Sequence, residues 1–191
     1  MAKPSLEELF LGSFAYLIPL GVTVDGGVVS ATSKPDGVPT ANWTDYNIGS
    51  VMSFVPGVEE QDNSYMAPSA FGGWEKRPRK RVIADFIDLK TREMGELLLR
   101  LQFGLASEIA LGTAQTIFGT STRSIEAWLK FHVRKDTGLD LSIGDVLVRV
   151  ELKKGFVADG KVSEPEFRCT AIKTYNGAAV TLNTIVFPAA A

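Results

Sequence analysis

The chain has 191 residues, 45% of them hydrophobic, and a formal charge of -2. That much apolar material is enough to build one core, so one globular domain with arms is expected. The near-zero balance argues against the uniformly basic surface of a general nucleic-acid or anionic-membrane binder. A single cysteine, Cys169, excludes an intramolecular disulfide and any two-thiol metal clip.

Met1 to Gly12 reads as a short helix or as an arm that orders on contact: Pro4 and Ser5 precede Leu6, Leu9 and Phe10 at helical spacing. The apolar stretch Leu6 to Leu20 is broken by Glu7, Glu8, Gly12 and Pro19. It is therefore not a signal peptide, and synthesis in the cytoplasm is expected. No stretch approaches the roughly 20 apolar residues that span a bilayer, so no membrane is expected as partner. Phe14 to Ile18 and Val22 to Asp25 read as short strands, with a turn at Asp25-Gly26-Gly27 before Val28 to Ala31. Ser33 to Thr40 is a loop rich in turn residues.

Two further strand-like runs, Ile48 to Val55 and Arg79 to Leu89, are separated by a connection punctuated by Pro56, Gly57, Asn63, Pro68, Gly72, Gly73 and Pro78. So long a connection in a compact domain is functional or disordered. Tyr65, Met66, Phe71 and Trp74 are spaced along it, which disordered segments do not normally carry. We therefore expect a loop arm over 56–78 that docks on another subunit. Val82 to Ile87 is apolar on both parities apart from Asp85, the pattern of a strand covered on both faces. Thr91 is the expected N-cap of a helix carrying Met94, Leu97, Leu98, Leu101 and Leu105 on one stripe and ending near Gly104. Leu105 to Gly119 is ambiguous.

From Ser124 onward the pattern is strand. Ile125, Ala127, Leu129, Phe131 and Val133 alternate with polar residues, which gives a core face and an outward face. His132 falls on the outward face between Lys130 and Arg134, as does Trp128, which a second layer or a subunit must then cover. A turn at Asp136 to Gly138 leads to Val146, Val148, Val150 and Leu152, with Leu147 out of phase. A second turn, Ala158 to Lys161, precedes Phe167, Cys169 and Ala171, and Asn176-Gly177 opens a hairpin into Ala179 to Phe187. Cys169 is read as a buried structural thiol. Together these elements predict a mainly β fold: an antiparallel β-sandwich or barrel with one packed α-helix and a long extended inter-strand arm.

Catalytic equipment is missing from the pattern. His132 is the only histidine, so neither a zinc site of His and Cys ligands nor a convincing triad assembles. No phosphate-cradling glycine motif occurs. We expect no enzyme, no cofactor and no metal. The densest charge, Lys76-Arg77-Pro78-Arg79-Lys80-Arg81, reads as a partner for Glu59, Glu60 or Asp62 of the same or a neighbouring subunit. Its alternative is a nucleic-acid patch.

The run Asn42-Trp43-Thr44-Asp45-Tyr46-Asn47-Ile48-Gly49-Ser50-Val51, continuing through Phe54-Val55-Pro56-Gly57-Val58-Glu59-Glu60, resembles the opening motif of bacteriophage major tail (tail tube) proteins of long flexible-tailed phages. One additional residue separates Asp45 from the Ile48-Gly49 pair. The layout of the whole chain is similar to that family: early strands, a long arm, a central helix and closing hairpins. The resemblance implies one tail-tube-like domain over 1–191, with an N-terminal arm 1–12 and the loop arm 56–78. It also implies a structural protein of the virion tail, self-assembling into stacked hexameric rings that form a conduit for DNA ejection. Its partners would be its own copies and other tail proteins such as tape measure and terminator, with DNA passing through the lumen without specific binding. Expected interface residues are Phe54, Tyr65, Phe71 and Trp74 as anchors, with Arg77, Arg79, Lys80 and Arg81 as electrostatic partners. The alternatives are a related tube or neck component, such as a tail completion or secretion-tube protein, and a nucleic-acid-binding β module using residues 76–81.

Overall fold

A computed structural model of the chain describes residues 10–35, 46–92, 96–105, 109, 112–119, 123–135, 140–157, 163–172 and 183–186. The readings that fall on residues 1–9, on Trp43 and its neighbours at 36–45, on Met94, and on the turns at 136–139, 158–162 and 173–182 lie outside the described residues.

The alternating run after Ser124 forms strand β8 (Ser124–Lys135). It lies between β1 (Phe10–Pro19) and β9 (Asp140–Lys154). Strands β4 (Asn47–Asp62), β7 (Lys80–Thr91) and β10 (Glu166–Ala171) continue the sheet in the order β10, β7, β4, β1, β8, β9. Because β10 also pairs with β9, the six strands close into an antiparallel barrel. Of sandwich and barrel, that closure selects the barrel, and it removes the sheet edges over the paired height. A last strand, β11 (Thr184–Val186), pairs with β9 ahead of β10.

Inward parity fills the barrel. Ala127, Leu129 and Phe131 of β8 meet Val148 and Val150 of β9, Ala15 and Leu17 of β1, Leu89 of β7, and Phe167 and Cys169 of β10. The Cys169 thiol is fully buried, and desolvation pushes its pKa well above the ordinary thiol value. Helix α1 (Glu96–Phe103) closes one end by inserting Leu98 and Leu101. The expected end at Gly104 holds: Gly104 takes φ 61°, and the Leu105 amide donates to the Arg100 carbonyl at 3.0 Å, the six-to-one bond of a glycine C-cap. The reading of Thr91 as N-cap turns on residues 93–95, which lie outside the described residues. Thr91 is the last residue of β7, and its hydroxyl donates to the Ile48 carbonyl at 2.8 Å.

Alternation misplaces one face. Trp128, Lys130 and His132, all on the outward parity, are buried; cover is expected for Trp128 but not for its two polar neighbours. A two-residue turn at Asp25 and Gly26, both with positive φ, folds the small hairpin of β2 (Thr23–Val24) and β3 (Gly27–Val28). Val24 and Val29 then pack with Ile18, Trp128 and Leu147 as a second cluster outside the barrel. The Trp128 indole donates to the Ser30 carbonyl at 2.9 Å. Leu147, out of phase in the sequence, belongs to this outer layer. Lys130 is paired under this cover with Asp145, its cross-strand neighbour, 3.0 Å away.

Strand direction sorts the barrel into two ends. β4 leaves the barrel, and β7 enters it, at the end where Phe131 and Phe54 sit. β7 runs on to α1 at the opposite end, which also holds the start of β8 and the exit of β9.

Candidate assembly surface

β4 and β7 are longer than the barrel they serve. β4 pairs with β1 only as far as Val51, and β7 pairs with β10 only from Phe86 onward, yet β4 and β7 pair with each other out to Asp62 and Lys80. The excess is a two-stranded ribbon that reaches about 25 Å from Val55 to Asp62 at about 3.3 Å per residue. The sequence reading ended the first strand at Val55. Pro56 does not end it, because this part of β4 is an edge strand with hydrogen bonds on one side only among the described residues.

The ribbon continues through the Asn63 amide, which donates to the Arg79 carbonyl at 2.8 Å. A second hairpin follows, β5 (Tyr65–Pro68) on β6 (Trp74–Arg77). Its turn is held by the Ser69 amide on the Gly73 carbonyl at 3.0 Å, and it leaves Phe71 100% exposed. Trp74 is 69% exposed, and Tyr65 and Met66 are exposed beside it. On the shaft, Val55, Val58, Val82 and Ile83 are exposed as well. Val82 to Ile87 was expected to be covered on both faces. In the chain by itself, the half nearer the tip has no covering element among the described residues.

The root of the ribbon is fastened. Arg168 on β10 donates to both oxygens of Asp88 on β7, at 2.9 and 3.0 Å. The same guanidinium lies 4.1 Å from the Phe86 ring centre. Phe86 in turn covers Gly57, where an added Cβ would stand 2.5 Å from the ring. Lys153 of β9 reaches Asp88 at 2.9 Å. The Arg168 hydrogen bonds, followed by the one from Lys153, hold the Asp88 carboxyl below the ordinary carboxylate range against the effect of burial. The ribbon thus leaves the barrel in one direction, set by a three-strand ion cluster.

The expected interface residues divide among three places. Phe54 is half-buried at the mouth of the barrel, its ring centre 4.8 Å from that of Phe131. Tyr65, Phe71, Trp74 and Arg77 are together on the tip. Arg79, Lys80 and Arg81 are exposed where the tip joins the shaft. Carboxylates of the ribbon itself meet part of the basic run: Arg77 bonds Glu75 at 3.0 Å and Lys80 bonds Glu60 at 3.0 Å. The Glu60 hydrogen bond and charge raise the Lys80 pKa. Bonds from Ser64 lower that of Asp62, with Lys76 and Lys80 adding to the effect.

A second feature, unmarked by any sequence motif, lies at the α1 end. It is an open depression of about 630 Å³ lined by Leu101, Gln102, Arg123, Ser124, Glu151, Leu152 and Gly155. The Gln102 side chain shapes its wall by bonding the Phe156 amide at 3.0 Å and carbonyl at 3.2 Å. Arg123 lies 5.2 Å from the ring centre of exposed Phe118, next to exposed Ile117. The apolar lining comes from α1 and β9, elements far apart in the chain, which is why no local pattern announces it.

No protein-family model matches the sequence, and no curated protein matches it. Among solved structures, the chain aligns with the sheath/tube terminator of an extracellular contractile injection system, PVC, in its extended state. The identity is 10% and the TM-score 0.36, over 92% of this chain and 97% of that one. It also aligns with the tube-terminating cap of the anti-feeding prophage, AFP, at 13% identity and TM-score 0.36, over 84% of this chain and 99% of that one. Scores at that level carry no weight for fold or function.

Proposed function

We propose that the chain is a structural, self-assembling subunit of the tail-tube type. It stacks as rings, six-membered in the closest reading of the sequence resemblance, into a hollow conduit for DNA in a virion tail. It has no enzymatic role. The observation that carries this is the projecting ribbon. A lone two-stranded ribbon is marginal in water, and this one exposes apolar side chains on shaft and tip and leaves both edges free of strand partners among the described residues. Contiguous exposed apolar surface marks an interaction site, and free strand edges supply main-chain hydrogen bonds to whatever adds to them. Sister copies satisfy both needs. The tip anchors are Tyr65, Phe71 and Trp74, with Arg77, Arg79, Lys80 and Arg81 meeting acidic residues across the contact, and Phe54 holding the ribbon root against the barrel. A tube wall must also let DNA slide, which a near-neutral chain favours because each phosphate contact adds to the grip.

Negative-stain imaging of concentrated protein tests the proposal. Rings or tubes are expected, and dispersed single copies at every concentration would refute it. A single terminating ring in place of an extended tube would favour the neck or completion role within the same class. The nucleic-acid module is favoured instead if the protein retains duplex DNA at physiological salt with a steep salt slope that disappears when residues 76–81 lose their charges. Glu60 and Glu75 argue against it, since each already engages a cation of that run.

A further inference from the structure

Where the ribbon parts from the barrel, one residue from each of β4, β7 and β10 joins a single stack. Phe86 is the last residue of β7 with a partner on β10, Thr170, and its partner on β4 is Gly57. The Phe86 ring lies against Gly57 with no room for a Cβ between them, and the Arg168 guanidinium of β10 lies over the ring, 4.1 Å from its centre. Two hydrogen bonds to Asp88 hold Arg168 in that place. Beyond this point neither β1 nor β10 accompanies the ribbon. Glycine inside a strand is a soft point, and Gly57 stands where the support of neighbouring strands ends. An aromatic ring laid on a cross-strand glycine restores the missing contact. Phe86 therefore stiffens the root, and Arg168 keeps the ring in its seat.

We propose that the Arg168–Phe86–Gly57 stack is a latch: it holds the ribbon in one direction before any partner arrives, and its release lets the ribbon swing about Gly57 while the barrel stays folded. Arg168 and Phe86 are then positioning residues, acting on the ribbon from its root. Only the consequence rests on the self-assembly reading. A ribbon whose direction is already fixed loses little freedom on docking, whereas a released one must be ordered at the expense of the contact. Gly57→Ala isolates the device, because its Cβ would stand 2.5 Å from the ring. The ring must leave its seat although no charge and no hydrogen-bonding group has been changed.

The test is double electron–electron resonance on the dilute full chain, with nitroxides at Gln61→Cys on the shaft and Lys154→Cys on β9. Both positions are exposed, and Cys169 is buried beyond reach of the label. A narrow distance distribution is expected in the parent, and one about twice as wide in Gly57→Ala and in Phe86→Leu. Arg168→Gln, which uncovers the ring without crowding it, gives the same release should Gly57→Ala fail to fold. Narrow, unshifted distributions in variants with the circular dichroism of the parent would overturn the latch, and so would a parent already as wide as its variants. In concentrated protein the same variants should raise the critical concentration for particles in stain about tenfold. A wide distribution with an unchanged critical concentration would overturn the latch's control of assembly. A parent that forms no particles at any concentration would remove the self-assembly reading and that consequence with it, and the dilute measurement would still decide the latch.

Discussion

Replacing Phe71 by alanine separates folding from assembly more cleanly than any other single change. The side chain is 100% exposed in the isolated chain and sits on a turn whose hydrogen bonds are made by Ser69, Gly72, Gly73 and its own backbone amide, which an alanine keeps. Truncation therefore removes no contact of the fold, and the denaturation midpoint should stay within about 0.5 kcal/mol of the parent. In an assembly the same ring is buried. Complete burial of a phenylalanine stabilises by about 1.5–3 kcal/mol, so each contact should weaken by about 2 kcal/mol, or about 30-fold in its dissociation constant. The assay is a concentration series by sedimentation velocity, with urea unfolding of dilute protein run in parallel. The expected result is a critical concentration raised about 30-fold at unchanged unfolding midpoint. An unchanged critical concentration would refute the argument, and so would a lowered midpoint, which would mean that the ring is packed within its own chain.

Other expectations follow from the same geometry. Asp88→Asn leaves Arg168 and Lys153 without their shared carboxylate and should destabilise the fold by about 1–2 kcal/mol at neutral pH, read by chemical denaturation. Since the folded Asp88 pKa is lowered, its contribution is complete above the unfolded carboxylate value near 4 and is lost as pH falls through the lower folded value. The variant should therefore flatten the acid limb of the stability curve. Gly144→Ala places a methyl group on the Phe131 ring, and such overpacking should cost about 1–3 kcal/mol, measured as a lower denaturation midpoint. Trp128→Phe keeps the apolar body but removes the indole bond to the Ser30 carbonyl, which keeps the bond from the Ser33 amide at 3.2 Å. A loss of about 0.5–1.5 kcal/mol is expected, together with loss of the Trp128 contribution to tryptophan fluorescence while the exposed Trp74 signal persists.

Local patterns determined a good deal of this protein. Period-two alternation in 124–134 and 146–152 identified strands and their inward residues, because the pleat turns every second side chain to the same face. The helix stripe Leu97, Leu98, Leu101 and the glycine at 104 marked α1 and its end, because a positive φ at that position favours glycine. The spacing of Tyr65, Phe71 and Trp74 between turn residues marked a segment with aromatic groups it had no evident core for. Tertiary structure decided what parity leaves open. Whether an outward face meets water depends on elements distant in the chain: Trp128 and Lys130 are covered because the hairpin after Val22 folds over them and because Asp145 lies opposite in register. Val82 and Ile83 are exposed for the converse reason, since among the described residues β10 pairs with β7 only from Phe86 onward. Barrel closure through β10, the reach of the ribbon beyond it and the hollow beneath α1 all arise from pairings between residues tens of positions apart. Such pairings are set by the packing of the whole chain and leave no trace in any one stretch of it.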